Sequence, residues 1–158
     1  MTMTESDLRG LSMWQPWAGL LAMGLKKFET RPWHTSWKGD VAICSTKGGP
    51  SPTDAAALLQ EMGLDLTEEQ RLLCGIRGTA LAVARFGRIH TSFEITQSRL
   101  VSRQELAMGN YEPGRYAWAV ESVELLRQQY AINGRQRLWR VSPEDALGIR
   151  NLLGPLGF

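Results

Sequence analysis

Gly24-Leu25-Lys26-Lys27-Phe28-Glu29-Thr30-Arg31 is the stretch that decides the reading of this chain. It follows a short helix that begins at Pro16, sets Trp17, Leu20 and Leu21 on one face and stops at Gly24. Before that helix stands Leu11-Ser12-Met13-Trp14-Gln15-Pro16-Trp17, and after the charged octet Trp37-Lys38-Gly39 leads into the apolar run Val41–Cys44, a strand.

Further along, the helix ends are written in cap chemistry. Ser51-Pro52-Thr53-Asp54 opens a helix that Gly63 ends, and Thr67-Glu68-Glu69-Gln70 opens a second. Ser142-Pro143-Glu144-Asp145 opens a last helix, which runs towards Leu153 before Gly154-Pro155. Strand signals fill the rest. Thr79 to Phe86 sets alanine at every second position, which implies one face pressed closely on another element. Tyr116, Trp118 and Val120 alternate with smaller residues, and Leu138–Val141 is a shorter strand. This order lacks the regular strand–helix alternation of a doubly wound sheet. The expected fold is α+β, a small mixed β-barrel with short helices around it. It is expected to form a single domain over 8–158, with a helical insertion at 51–75 and a C-terminal helix at 143–153.

The chain has 158 residues and is 43% hydrophobic and 22% charged, the composition of a globular domain. Cys44 and Cys74 stand in no paired spacing, which argues against a disulfide scaffold. No apolar run approaches the ~20 residues that span a bilayer. Met1–Asp7 has neither the basic start nor the apolar stretch of a signal peptide, so a cytoplasmic protein without a membrane partner is expected. Net charge is +2, but it is unevenly spread: residues 51–70 carry five acids and no base, residues 71–103 six arginines against Glu94, and residues 127–140 four arginines and no acid. Such a distribution can attract an anionic partner, or it can decorate solvated strand edges.

The Gln15-Pro16-Trp17 opening, the Gly24-x-Lys26-x-x-Glu29-x-Arg31 motif and Lys38-Gly39 before a strand come in a telling order. Tyr111-Glu112-Pro113-Gly114-Arg115-Tyr116-Ala117-Trp118 and the Leu138-Trp139 strand complete it. Together they resemble the ASCH domain, a relative of the PUA domain, over about residues 11 to 141. The resemblance implies a PUA-like barrel. For function it implies an RNA- or DNA-binding module, an amidohydrolase that removes the acyl group from N(4)-acetylcytidine, or a ribonuclease-like member. The hydrolase branch assigns roles to the lysine and threonine of Gly-x-Lys-x-x-Thr-x-Arg and to a later glutamate. Lys26 holds the lysine position and Glu29 replaces the threonine, while Thr30 is one residue off. Glu105 is the candidate for the later glutamate, with Glu94 as its rival.

Hydrolysing an amide on cytosine needs an activated water, a stabilised oxyanion and a proton for the leaving nitrogen. Glu29 can serve as general base, with Lys26 as ammonium stabilising the oxyanion and donating the proton. Lys26 could instead be the base if burial and nearby cations lower its pKa, a shift that Glu29 opposes. The first assignment is preferred. Arg31 would position substrate or hold Glu29 by a bidentate contact. A surface ion-pair cluster without catalysis is the competing reading.

Trp14 and Trp33 are expected to line the cleft as stacking surfaces, with other tryptophans buried as core. Tyr111 and Arg115 flank a tight turn expected to face the same cleft, where Arg115 contacts a phosphate or the base, or else pairs with Glu112. Ser45, with Ser12 and Thr46, could bond the Watson–Crick edge, although such hydroxyls also serve turns and caps. His34, His90 and the cysteines have no metal-ligand spacing, so no metal or other cofactor is expected. The expected partner is a small modified nucleoside, with RNA or single-stranded nucleic acid as the alternative. The acidic helices at 51–70 are read as a solvated cap rather than a wall of the cleft.

Overall fold

The computed structural model describes residues 7–99 and 101–154. Its elements run β1 (Leu8–Met13), α1 (Trp17–Ala22), β2 (Phe28–Arg31), β3 (Asp40–Ser45), α2 (Pro52–Glu61), α3 (Glu68–Leu73), β4 (Thr79–Thr91), α4 (Ser92–Ser98), α5 (Arg103–Ala107), β5 (Tyr116–Ala131), β6 (Leu138–Arg140) and α6 (Pro143–Arg150). The strands form one six-stranded sheet in the order β2-β5-β4-β3-β1-β6. β1 and β3 run parallel, and the other neighbours run antiparallel.

The sheet curls into a half-barrel, the α+β PUA-like form expected from the sequence. Its curvature has a local cause. The β4–β5 register slips between Ala80 and Ala82, between Arg85 and Phe86 and between Phe86 and Ile89, and β3–β4 slips between Ile43 and Cys44. Each irregularity adds twist to a long strand pair.

Two apolar layers cover the sheet. On one side α1 supplies Ala18, Leu21 and Ala22 against Leu11, Ile43, Phe86 and Trp118. On the other, Ala146 and Ile149 of α6 meet Leu8, Ala42, Cys44 and Val83. β3 is therefore buried on both faces, which explains its unbroken apolar run. The alanines of β4 do not share one face as expected. Ala80 belongs to the α6 layer and Ala82 and Ala84 to the α1 layer, because the irregularity between Ala80 and Ala82 breaks the alternation.

Residues 92–107, to which the sequence reading assigns no element of their own, hold two short helices. Thr91 and Ser102 cap them by accepting the N–H groups of Glu94 and Glu105. The final helix ends at Arg150, short of Leu153; the expected Pro155 stop and residues 1–6 lie outside the described residues. Among the described residues, no helix is long and apolar enough to cross a membrane.

The α2–α3 segment is bolted to α1 by one buried side chain. Gln15 Nε2 donates to Leu73 O and Ile76 O, each at 2.8 Å, and Gln15 Oε1 accepts from Gly19 N at 2.9 Å. Leu20 meets Leu59, Met62, Leu66 and Cys74 beside it. Gln15→Ala strands two buried carbonyls and one N–H, so it is expected to cost ~3 kcal/mol in denaturant unfolding. A loss below ~1 kcal/mol would contradict this role for Gln15.

Candidate functional site

The charged octet folds as it does because α1 ends in a reversal. Gly24 takes φ +76°, a left-handed conformation open to glycine, and Leu25 N and Lys26 N both donate to Leu20 O, at 3.0 and 3.1 Å. The chain turns back under itself, and Lys26 is left 1% exposed. Its Nζ donates to Phe28 O and stands 3.6 Å from Glu29 Oε1. β2 pairs with β5, setting Glu29 opposite Trp118 and Arg31 opposite Tyr116. Arg31 Nε and Nη2 both reach Glu29 Oε2, at 2.9 and 2.8 Å, and Nη2 also donates to Ser12 O at 2.7 Å. One carboxylate oxygen is thus taken by Arg31, while the other faces Lys26.

Burial sets the electrostatics. Desolvation lowers the Lys26 pKa from its ordinary 10.5, and the charges of Glu29 and Glu105 oppose the shift without cancelling it. Desolvation also raises Glu105, against the Lys27 N–H and the Lys26 charge. Tyr111 is raised by burial first and then by Glu105 and Glu29.

Lys26, Glu29 and Arg31 open onto a hollow of about 540 Å³. That lies within the roughly 300–1,000 Å³ typical of small-molecule sites. Ser12, Met13 and Trp14 from the end of β1 form one wall, and Ala107 to Asn110, after α5, another. Leu58 of α2 and Met62 at its C-cap complete it, so the acidic α2 segment walls the cleft and is not merely a solvated cap. Their spacing marked an apolar helix stripe; nothing local showed where that stripe would dock. Trp14 stands at the rim, 56% exposed. A second groove of about 460 Å³ shares Ser12, Trp14 and Arg31 with the hollow and continues past Trp33 to Arg137.

Several expected site residues lie elsewhere. Ser45 is buried in the sheet, its Oγ 3.3 Å from Thr79 O, and does not reach the hollow. Trp33 packs edge-on against Trp118 at 4.9 Å and lines the second groove rather than the hollow. The Tyr111 ring lies against Gly109 and its buried hydroxyl has no hydrogen-bond partner among the described residues. Glu105 sits behind Lys26: its Oε1 accepts from Lys27 N at 2.8 Å, and it lines a cavity beside Phe28 instead of the hollow. Glu105 acts on Lys26 through its field and the backbone. Glu94 borders that same cavity, half-exposed and paired with Arg88 and His90.

Arg115 borders the hollow but is held by its own fold. Its Nε donates to Asn110 O at 3.0 Å and its Nη2 to Thr30 O at 3.1 Å, so it stitches the loop to β2 and does not pair with Glu112. Thr30 also borders the hollow, with its Oγ1 accepting from Asn110 N. Among the described residues, no group of His, Cys, Asp and Glu is arranged to hold a metal ion.

Comparison with known proteins extends these observations. Residues 11–127 match the family described as the ASCH domain. Over 48 residues, 30% of this chain, the sequence is 46% identical to activating signal cointegrator 1 of Mus musculus and 44% identical to its Homo sapiens counterpart. The match spans 8% of the length of these relatives. Among solved structures, ASCH from Zymomonas mobilis superposes with a TM-score of 0.56 at 12% identity, covering 94% of this chain and 97% of that one. A serine-to-alanine variant of the same protein gives 0.57 at 12% identity, covering 96% and 100%. At such identity the likeness is one of fold. With the matched segment running from the end of β1 through most of β5, the chain belongs to the ASCH domain family.

Proposed function

We propose that this protein is a metal-independent amidohydrolase that removes the acyl group from N(4)-acylated cytidine-type nucleosides. The observation that carries the reading is the Lys26 ammonium, 3.6 Å from Glu29 Oε1, in the wall of a hollow of about 540 Å³.

The residues supply each part of the chemistry. The pyrimidine stacks on Trp14, between the apolar walls of Met13, Leu58 and Met62. Glu29 Oε1 takes a proton from water as the water oxygen bonds to the acyl carbon. Arg31 fixes Glu29 Oε2, so the free oxygen is oriented before reaction begins. The Lys26 ammonium, on a residue 1% exposed, stabilises the oxyanion. As the C–N bond breaks, Lys26 gives its proton to the exocyclic nitrogen. Burial makes it a stronger acid than a free lysine, which favours that step. The proton on Glu29 then returns to Lys26 across the short gap, and the carboxylic acid and amino-pyrimidine nucleoside leave.

A non-catalytic nucleic-acid module is the competing reading, resting on the arginine-rich stretches. Part of that charge is already engaged. Arg77 donates to Gly48 O and Pro50 O, Arg85 pairs with Asp40, Arg88 with Glu94, and Arg127 donates to Asn151 O. Those four of the ten arginines in the two stretches are therefore held within the fold.

Incubation with N(4)-acetylcytidine should release cytidine. Lys26→Ala and Glu29→Ala are each expected to lose at least ~100-fold in kcat/KM, the low end for general acid–base groups. Turnover absent in the wild type, with tight oligonucleotide binding that weakens steeply with salt, would overturn the hydrolase reading in favour of the module.

The pH profile tests the acid role. Activity should fall as pH rises through the Lys26 pKa, since the ammonium is the working form. Glu105 raises that pKa by its charge, so Glu105→Gln should move the alkaline limb to lower pH. A limb that stays put or moves upward contradicts the assignment.

A further inference from the structure

The groove beside the hollow is built of unlike parts from those of the hollow itself. Its outer wall is the turn carrying Arg135 and Arg137, just before β6. Gly134 brings that turn onto β1: a Cβ there would stand 2.4 Å from Ser12 Oγ, so a larger residue would have to turn the hydroxyl aside. Arg137 lies over the Trp33 ring, its guanidinium carbon 4.9 Å from the centroid. Stacking fixes the plane of the guanidinium and leaves its N–H edge free to bond an anion. Arg135 stands two positions away on the same wall, and among the described residues no acid lines the groove. The cavity beside Phe28 differs, since Glu94 and Glu105 accompany its cations.

The groove also adjoins the reaction site. Ser12, Trp14 and Arg31 line both spaces, so the groove opens onto the hollow at that wall. A pyrimidine held on Trp14 with its exocyclic nitrogen at Lys26 could carry its sugar across that wall, towards Arg135 and Arg137. Two guanidiniums without a carboxylate partner suit a phosphate, whose oxygens accept bidentate N–H pairs.

We infer that this groove is a phosphate subsite, and that the acylated pyrimidine reaches the hollow as a nucleotide rather than as a bare nucleoside. This rests on the hydrolase reading for the reaction, though not for the binding. The phosphate is either that of a mononucleotide or one within a polynucleotide strand; both present the same group to the two arginines.

The test compares wild-type kcat/KM for N(4)-acetylcytidine, its 5′-monophosphate and a short RNA carrying the same base internally. A preference of at least ~10-fold for a phosphorylated form is expected, as charge-assisted contacts to phosphate provide. Arg135→Ala and Arg137→Ala should bring that ratio close to one, and Arg137→Lys should keep part of it. Faster turnover of the monophosphate than of the RNA assigns the subsite to a mononucleotide, and the reverse order assigns it to a strand. Equal handling of nucleoside and phosphorylated forms by the wild type overturns the inference, as does an unchanged ratio in both alanine variants. Calorimetry with cytidine 5′-monophosphate against cytidine reads the groove without turnover. Tighter binding of the monophosphate, lost in Arg137→Ala, supports the subsite even if no acylcytidine is hydrolysed. That combination overturns the hydrolase reading alone.

Discussion

Lys26 carries its ammonium to a depth where 1% of the residue stays exposed, and the neighbouring segments answer that charge. Moving an ammonium out of water costs several kcal/mol even after relaxation, so its partners must be close and well oriented. The Phe28 carbonyl, the Glu29 carboxylate and the field of Glu105 supply them. Arg31 pairs with the same Glu29 carboxylate, which sets two basic and two acidic side chains in one small volume. The set is neutral in sum and still strongly polar, the condition under which a preorganised site stabilises charge that develops during reaction.

Distant parts of the chain hold this arrangement. The reversal after α1 points Lys26 inward, the β2–β5 pairing fixes Glu29 and Arg31, and the α2 segment supplies the apolar side of the hollow through Leu58 and Met62. Gln15 links these parts, because its amide joins α1 to the backbone after α3. A residue of the family's opening motif is thus structural, with its polar atoms spent inside the fold.

Much of this was legible in the residues, and the remainder was hidden for identifiable reasons. The motif from Gly24 to Arg31 could be read because its meaning is local: a helix stop, a reversal and a short strand. The caps at Ser51, Thr67 and Ser142 were equally plain. Thr91-x-x-Glu94 and Ser102-x-x-Glu105 carry the same signature, but the strand-like residues around them masked α4 and α5. Ser45, Tyr111 and Glu105 were the hard cases. Whether a polar side chain faces a hollow or the interior depends on which distant segment covers it, and spacing along the chain does not encode that. The same holds for Leu58 and Met62, whose stripe is evident and whose docking site is not.

The direct measure of the central claim is the titration of Lys26 itself, followed by NMR at its side-chain carbon and nitrogen. A midpoint below the ordinary 10.5, falling further in Glu29→Gln, is the result that a desolvated ammonium held by a carboxylate requires. A midpoint at the ordinary value, unmoved by Glu29→Gln, would mean that the ammonium is solvated and unpartnered, and the account of the site would fail.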